Sequence, residues 1–403
     1  MHKLARRNIL RHKFRTAMTL AVIVLGLVGM ILSGGFVKDM LWQLGEALIH
    51  SQSGHLQVYK AEYFAKGGRS PEQYLIERPE VLQQSLAQLA QVDDVMLRVN
   101  FSGLLSNGRS DWPIIGEGVE PDKEARLGTH LKFTAGRQLA SSDANGILIG
   151  QGVAETLKLK PGDTVTVLIN TSEGALNTQE FQVVGIFQSF SQDFDARAVR
   201  IPLAAAQELI GSAGANSAVV SLKATSDTQL VADSLRDSLG KQQLEIKTWE
   251  ELNDFYANAV ALYERQFGVL QGIILLMVLL SVGNSVNMSV FERLGEFGTM
   301  MALGNNRLAI FKMVVMENAL LGVVGAILGM VIGTALALAI SAIGIPMPPP
   351  PNANVGYTAR IQIVPSVLAI AFAVGLLATV LAALFPAIRV ARTPIVDALR
   401  QNY

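Results

Sequence analysis

Cysteine is absent from the 403 residues. Its absence excludes disulfides, thiolate metal sites, a cysteine nucleophile and a lipid-modified N-terminal cysteine. No G-x-x-x-x-G-K-[ST] run occurs, so the chain has no P-loop to cradle nucleotide phosphates. No G-x-S-x-G marks a nucleophile elbow. The histidines, at positions 2, 12, 50, 55 and 130, lack ligand spacing, and His50 and His55 are expected on different elements, so no metal site is expected. Only 16% of residues are charged and the formal net charge is zero, which gives no electrostatic footprint for nucleic acid. Catalysis by this chain is not expected.

Hydrophobic residues, by contrast, make up 50% and are concentrated in the first forty and last hundred and forty positions. A helix needs about 20 apolar residues to cross a bilayer. Four windows qualify: 16–37, 266–291, 317–345 and 361–388. The first is longer than the apolar core of a signal peptide and no A-x-A-like site follows Phe36, so it is expected to be retained. Lys3, Arg6, Arg7, Arg11, Lys13 and Arg15 precede it without an acidic residue, which orients the basic segment 1–15 toward the cytoplasm. Four spans then return the tail 389–403, with Arg389, Arg392 and Arg400, to the same side. The segment 292–316 is expected to be cytoplasmic, and the short loop 346–360, with its MPPPP run from Met347 to Pro351, lies on the other side.

Residues 38–265 form the large domain outside the cytoplasm. GHLQVY from Gly54 alternates as a strand, and PEVLQQSLAQLA from Pro79 reads as a helix with proline at its start. GILIG leads into a helical GVAETLKL, a KPGD turn and the strand TVTVLI; EFQVVGIF and SAVVSLK are further strands, and TQLVADSLRDSL is amphipathic. The expected class is membrane α-helical with an α+β extracytoplasmic domain of two lobes, a β-rich lobe being inserted into the first. Helical stalks are expected at 38–52 and 248–265. Thr248-Trp249-Glu250-Glu251 has the form of a capping box, and one helix of about 45 residues, roughly 68 Å, is expected from Thr248 to Arg293.

Span three carries Gly322, Gly325, Gly329 and Gly333, continued by Ala337 and Ser341. Small residues at four-residue spacing let helix backbones approach closely in lipid. This ridge, with Gly325, Gly329 and Gly333 at its centre, is expected to pack on span two or four, with a subunit interface as the other use. Span two contains Ser281, Asn284, Ser285 and Asn287, whose polar groups need partners in hydrocarbon; interhelical hydrogen bonds are the expected use, with a translocation path as the other.

The segment after span two contains E-x-G-x-x-x-A-L-G, at Glu296, Gly298, Ala302, Leu303 and Gly304, with Glu317 following. Near the C-terminus runs PAIRVARTPIVDALR, with Pro386, Ala391, Pro394, Ala398, Leu399 and Arg400. Together with the four spans and the GILIGQGVAETLKLKPGDTV pattern, these motifs resemble the macrolide-exporter and lipoprotein-release permeases, a family that includes the FtsX cell-division proteins. The likeness is closest to lipoprotein-release permeases without a fused ATPase. One departure is Met301, where many members carry Arg or Lys.

The resemblance implies a transporter subunit that transmits motion, in the bacterial inner membrane, with no cofactor of its own. ATP and Mg would be held by a dimer of separate ATPase subunits. The segment after span two would be the coupling helix, with Glu292, Arg293, Glu296, Gly298 and Gly304 as ATPase contacts. Expected partners are that ATPase, a second permease copy in a homodimer or heterodimer, membrane lipid, and a periplasmic acceptor or adaptor protein. The leading cargo is a lipoprotein or other lipid-linked substrate. Efflux of periplasmic peptides or drugs through a tripartite partner, and regulation of a cell-wall hydrolase, are the alternatives.

Overall fold

A computed structural model of the chain describes residues 13–67, 71–171, 173–349 and 356–394. Outside them lie Lys3, Arg6, Arg7 and Arg11 of the basic segment, Pro350 and Pro351 of the proline run, and Ala398, Leu399 and Arg400 of the closing motif. Among the described residues four helices are long and apolar enough to cross a membrane. The first, α1 (Lys13–Leu48), has 36 residues. It is about 54 Å long, well beyond the ~30 Å hydrocarbon core, so its last turns continue past the charge-free window. A π-helical turn, Ile49–Ser53, follows. Gly54 stops it at φ +64°, where a Cβ would also press on Val219.

The extramembrane elements are β1 (Leu56–Lys60), α2 (Pro79–Ala87), β2 (Val92–Ser106), β3 (Asp111–Val119), α3 (Pro121–Leu127), β4 (Lys132–Gly136), β5 (Gly146–Gly150), α4 (Gln151–Leu157), β6 (Thr164–Asn170), β7 (Leu176–Gln188), α5 (Gln192–Asp195), β8 (Ala198–Pro202), α6 (Leu203–Ile210), β9 (Ser217–Leu222), α7 (Thr228–Leu239) and β10 (Leu244–Thr248). They form a ten-stranded mixed sheet in the order β10-β1-β9-β2-β3-β8-β5-β7-β4, with β6 pairing both β2 and β7. Pairs β3–β8 and β5–β7 are parallel. The segment 111–202 is inserted between β2 and β9, as the sequence pattern indicates, but the two expected lobes share one hydrogen-bonded path and one apolar core. Strand β2 is the reason: its first half pairs with β9, its second with β3, and Gly103–Ser106 also pairs with β6. Fifteen residues are enough to serve both halves.

The chain then forms α8 (Trp249–Leu252), α9 (Asp254–Glu292), α10 (Leu294–Ala302), α11 (Arg307–Ile343), β11 (Ile345–Met347), β12 (Tyr357–Ala359) and α12 (Pro365–Arg392). The capping box is present: Glu251 N–H donates to Thr248 Oγ1, and the Glu251 carboxylate accepts the Thr248 N–H at 3.0 Å. The single helix expected from Thr248 is interrupted, however, at Asn253 (φ −121°, ψ 82°). Asn253 donates its side-chain amide to the Trp249 carbonyl at 2.6 Å, closing α8. Its own carbonyl accepts from Tyr256 and Ala257 and opens α9. Helix α11 begins at Arg307, ten positions before the window expected to span the membrane, and is capped by the Asn306 side chain, which accepts the Ala309 N–H at 2.8 Å.

The chain divides into two compact units. The bundle comprises 13–42, 259–346 and 358–394 among the described residues, and the domain comprises 43–258 with 347–357. Helices α1 and α9 each contribute to both.

Candidate functional site

Helix α10 has two faces. Leu294, Gly295, Phe297, Gly298 and Met301 are buried, while Glu296, Thr299 and Ala302 are exposed. Arg293, between α9 and α10, turns inward and is only 7% exposed. Its guanidinium donates to Glu296 at 3.1 Å and to both carboxylate oxygens of Glu317 on α11 at 2.9 and 3.1 Å, and it lies over the Phe297 ring. This charge-assisted pairing ties α10 to the third turn of α11. Gly304 closes the α10–α11 turn at φ +96°, with open space around it.

The five residues expected to contact an ATPase therefore divide. Glu292 and Glu296 face outward, Arg293 and Gly298 face the bundle, and Gly304 shapes the turn. Leu303, read from the sequence as part of the motif but not as an ATPase contact, is 80% exposed at the tip of that turn. Its signal was present, since an apolar residue between Ala302 and a helix-stopping glycine has nothing to pack against. Met301 is buried in the bundle core, which accounts for an apolar side chain at that position.

The glycine ridge packs inside the chain, and its central glycines Gly325, Gly329 and Gly333 meet span one. A Cβ at Gly325 would lie 2.8 Å from Ile23, at Gly329 2.9 Å from Leu27, and at Gly333 3.0 Å from Ile31. Three branched side chains at four-residue spacing on α1 thus seat in three notches at the same spacing on α11. Leu27 also fills the notch at Gly375 of α12, where a Cβ would come within 2.8 Å. Gly322 meets span four, at Thr379. Ser341, further along α11, accepts the Ile361 N–H at 2.9 Å. Thr19 and Ser285 share a 2.5 Å hydrogen bond between spans one and two, the interhelical use expected for the polar residues of span two. Asn287 Oδ1 is buried without a hydrogen-bond partner.

In the domain the structure gathers residues that the sequence reading did not single out. Arg98 (β2), Glu117 (β3), Glu124 (α3) and Arg200 (β8) form a buried ion network. Arg98 pairs with Glu124 at 2.6 Å, Arg200 with Glu117 at 2.8 Å, and Arg200 with Glu124 at 3.1 Å. Each guanidinium also donates to the π-helical turn that ends α1: Arg98 to the Gln52 carbonyl and Arg200 to the Ser51 carbonyl at 3.2 Å. Burial pushes the Glu124 pKa up, but the two guanidiniums outweigh it and hold the carboxyl below its usual range. The available signal was arginine inside apolar strand runs, as in Leu97-Arg98-Val99 and Val199-Arg200-Ile201.

Beside this network, Gly45 on α1 meets Trp249, where a Cβ would come within 2.7 Å of the indole. Trp249 N–H donates to the His55 carbonyl at 3.0 Å. Three histidines that looked unrelated also meet here: His50 and His130 stack at 5.5 Å between centroids, and His55 stands edge-on to His50 at 5.8 Å. Among the described residues no set of three His, Cys, Asp or Glu side chains could hold a metal ion.

Two family descriptions match the chain in tandem. A MacB-like periplasmic core domain covers residues 16–238, more than half the chain, and an FtsX-like permease C-terminal domain covers 268–395. An uncharacterized ABC transporter permease of Methanocaldococcus jannaschii is 24% identical over 82% of this chain and 82% of its own length. The lipoprotein-releasing system transmembrane protein LolE of Haemophilus influenzae is 24% identical over 80% of this chain and 75% of its own. The periplasmic region of MacB from Actinobacillus actinomycetemcomitans aligns with a TM-score of 0.38 at 15% identity, covering 52% of this chain and 95% of that one. With the two domains in this order and four candidate spans, the chain belongs to the MacB/FtsX family of ABC transporter permeases.

Proposed function

We propose that this chain converts ATP hydrolysis by a separate ATPase into movement of its extracytoplasmic domain, releasing a lipoprotein or other lipid-linked substrate from the inner membrane. ATP and Mg belong to the ATPase. Helix α10 and the residues flanking it are its contact, with Glu292, Glu296, Thr299 and Leu303 outward, while Gly298 is buried against the bundle and Gly304 sets the turn. In this orientation both termini are cytoplasmic. The observation that carries the reading is Arg293, which binds Glu296 on the contact helix and Glu317 on span three at once. A push on α10 is thereby delivered to α11, and through the Gly325, Gly329 and Gly333 notches to α1.

Helix α1 belongs to both units, and its end is gripped by the buried arginines of the domain. The spans expose apolar side chains such as Leu270, Ile273, Leu276 and Met277 of α9, and in this reading they pass motion rather than cargo. The lipid-linked cargo is supported by the similarity to LolE and to the lipoprotein-releasing protein LolC of Neisseria meningitidis, 22% identical over 80% of this chain. A second permease copy, identical or related, completes the assembly, and a periplasmic protein accepts the cargo.

The test is purification of the chain from its native membrane, followed by mass spectrometry of bound proteins and lipids. An ABC ATPase together with an acylated protein is the expected result. A wall hydrolase in place of cargo would sink the release reading, and absence of any ATPase would sink the coupling reading.

A further inference from the structure

The histidine cluster lies where α1 ends on the domain, and its hydrogen bonds assign the protons. His55 Nδ1 accepts the Leu222 N–H at 3.1 Å, so in the neutral ring the proton sits on Nε2. That nitrogen is 3.2 Å from Thr225 Oγ1, and the Thr225 hydroxyl donates to Glu46 Oε1 at 2.7 Å. The other Glu46 oxygen is 3.3 Å from His50 Nε2, one turn further along the helix. His130, in the loop before β4, covers the His50 ring, is open to solvent, and donates its backbone N–H to the His50 carbonyl. The chain from His55 through Thr225 to Glu46 and His50 fastens the end of α1 to the β9–α7 loop, and His130 closes it from the other side.

The charges facing the cluster are few. Glu46 is the acid in contact with an imidazole, and Asp93, at the start of β2, is the further acid whose field reaches His55. Glu46 Oε2 faces His50 and its Oε1 accepts from Thr225. A proton added to His130 would set a positive ring on the stacked face of His50, and on His55 it would occupy Nδ1, where the Leu222 N–H points. We propose that Glu46, His50, His55, His130 and Thr225 form a proton-operated latch, which holds the end of α1 on the domain near neutral pH and releases it when the surrounding compartment acidifies.

Burial first, and then the neighbouring His50, lower the pKa of His55 to about 4 and that of His130 below its usual value. Groups depressed in the latched state favour that state fully above about pH 6.5, and the preference is lost as pH falls toward the depressed values. Each linked proton changes the opening equilibrium by at most about tenfold per pH unit in that window. The fastening stands on geometry alone; only the consequence of release, a decoupled stalk, rests on the proposed function.

The test is hydrogen exchange of the intact chain in lipid nanodiscs, without ATPase, read on peptides covering 43–56 between pH 7.5 and 4.5 and corrected for intrinsic rates. Protection is expected to hold above pH 6.5 and to fall by about tenfold per unit below it. His130→Gln, at an exposed position, removes the stacked acceptor and is expected to move the loss to lower pH. Protection independent of pH, or a His130→Gln profile identical to that of the unsubstituted chain, would overturn the latch. Neither outcome bears on the ATPase reading, which this measurement does not use.

Discussion

Replacing Glu124 by Gln removes one carboxylate from a network of two carboxylates and two guanidiniums. Arg98 and Arg200, 2% and 0% exposed, would then share Glu117 alone, leaving one net positive charge uncompensated in the interior. Breaking a buried ion pair from one side costs about 3–5 kcal/mol, because the remaining charge keeps its desolvation penalty. For a unit of roughly 200 residues each kcal/mol moves Tm by about 2–4 °C, so a fall of about 10 °C is expected.

The assay is thermal unfolding of the detergent-solubilised chain, followed by near-ultraviolet circular dichroism, whose tryptophan signal includes Trp249 beside Gly45. Asp143→Asn serves as the control, since its partner Arg137 is 59% exposed and such pairs contribute about 0–1 kcal/mol. The pH dependence has a definite sign. The folded-state pKa of Glu124 is depressed, so its contribution is present above the unfolded value of 4.5 and is lost as pH falls through the folded value. A Glu124→Gln chain that melts within 2 °C of the original would refute the closed network and, with it, the grip on Ser51 and Gln52.

Two smaller perturbations test the bundle. Gly329→Leu places side-chain atoms where Leu27 already sits, and is expected to cost about 1–3 kcal/mol, with partial recovery when Leu27→Ala is added; thermal unfolding in detergent measures both. Thr19→Val and Ser285→Ala together are expected to show a coupling energy of about 0.6 kcal/mol in a double-mutant cycle, since the hydroxyls bond each other across spans one and two.

The spans, the strand–helix alternation and the capping box at Thr248 were legible because each is written in a local pattern: charge-free windows, period-two runs, or a threonine three residues before a glutamate. What was not legible depends on which segments meet. The ridge at Gly325, Gly329 and Gly333 announced close packing, but its partner was fixed by Ile23, Leu27 and Ile31, which read only as part of an apolar span. The interruption at Asn253 turns on a side-chain amide reaching the Trp249 carbonyl, a choice that helical periodicity does not register. His50, His55 and His130 carried no signal because no spacing links them; the fold brings the residue before β1, the π-helical turn after α1 and the α3–β4 loop to one place. In the loop motif, Glu296 and Gly298 were singled out together, yet one faces outward and the other is buried.

The central claim is that a force applied at α10 reaches the end of α1 through Arg293. The most direct measurement compares hydrogen exchange at residues 43–53, with and without a non-hydrolysable ATP analogue, in the assembled complex of the chain with its ATPase. The original chain is expected to change protection there on nucleotide binding. Arg293→Gln, which breaks the link to Glu317 while leaving the outward Glu296 and Leu303 in place, is expected to bind the ATPase but show no change. The same nucleotide-dependent change in Arg293→Gln as in the original chain would contradict the account.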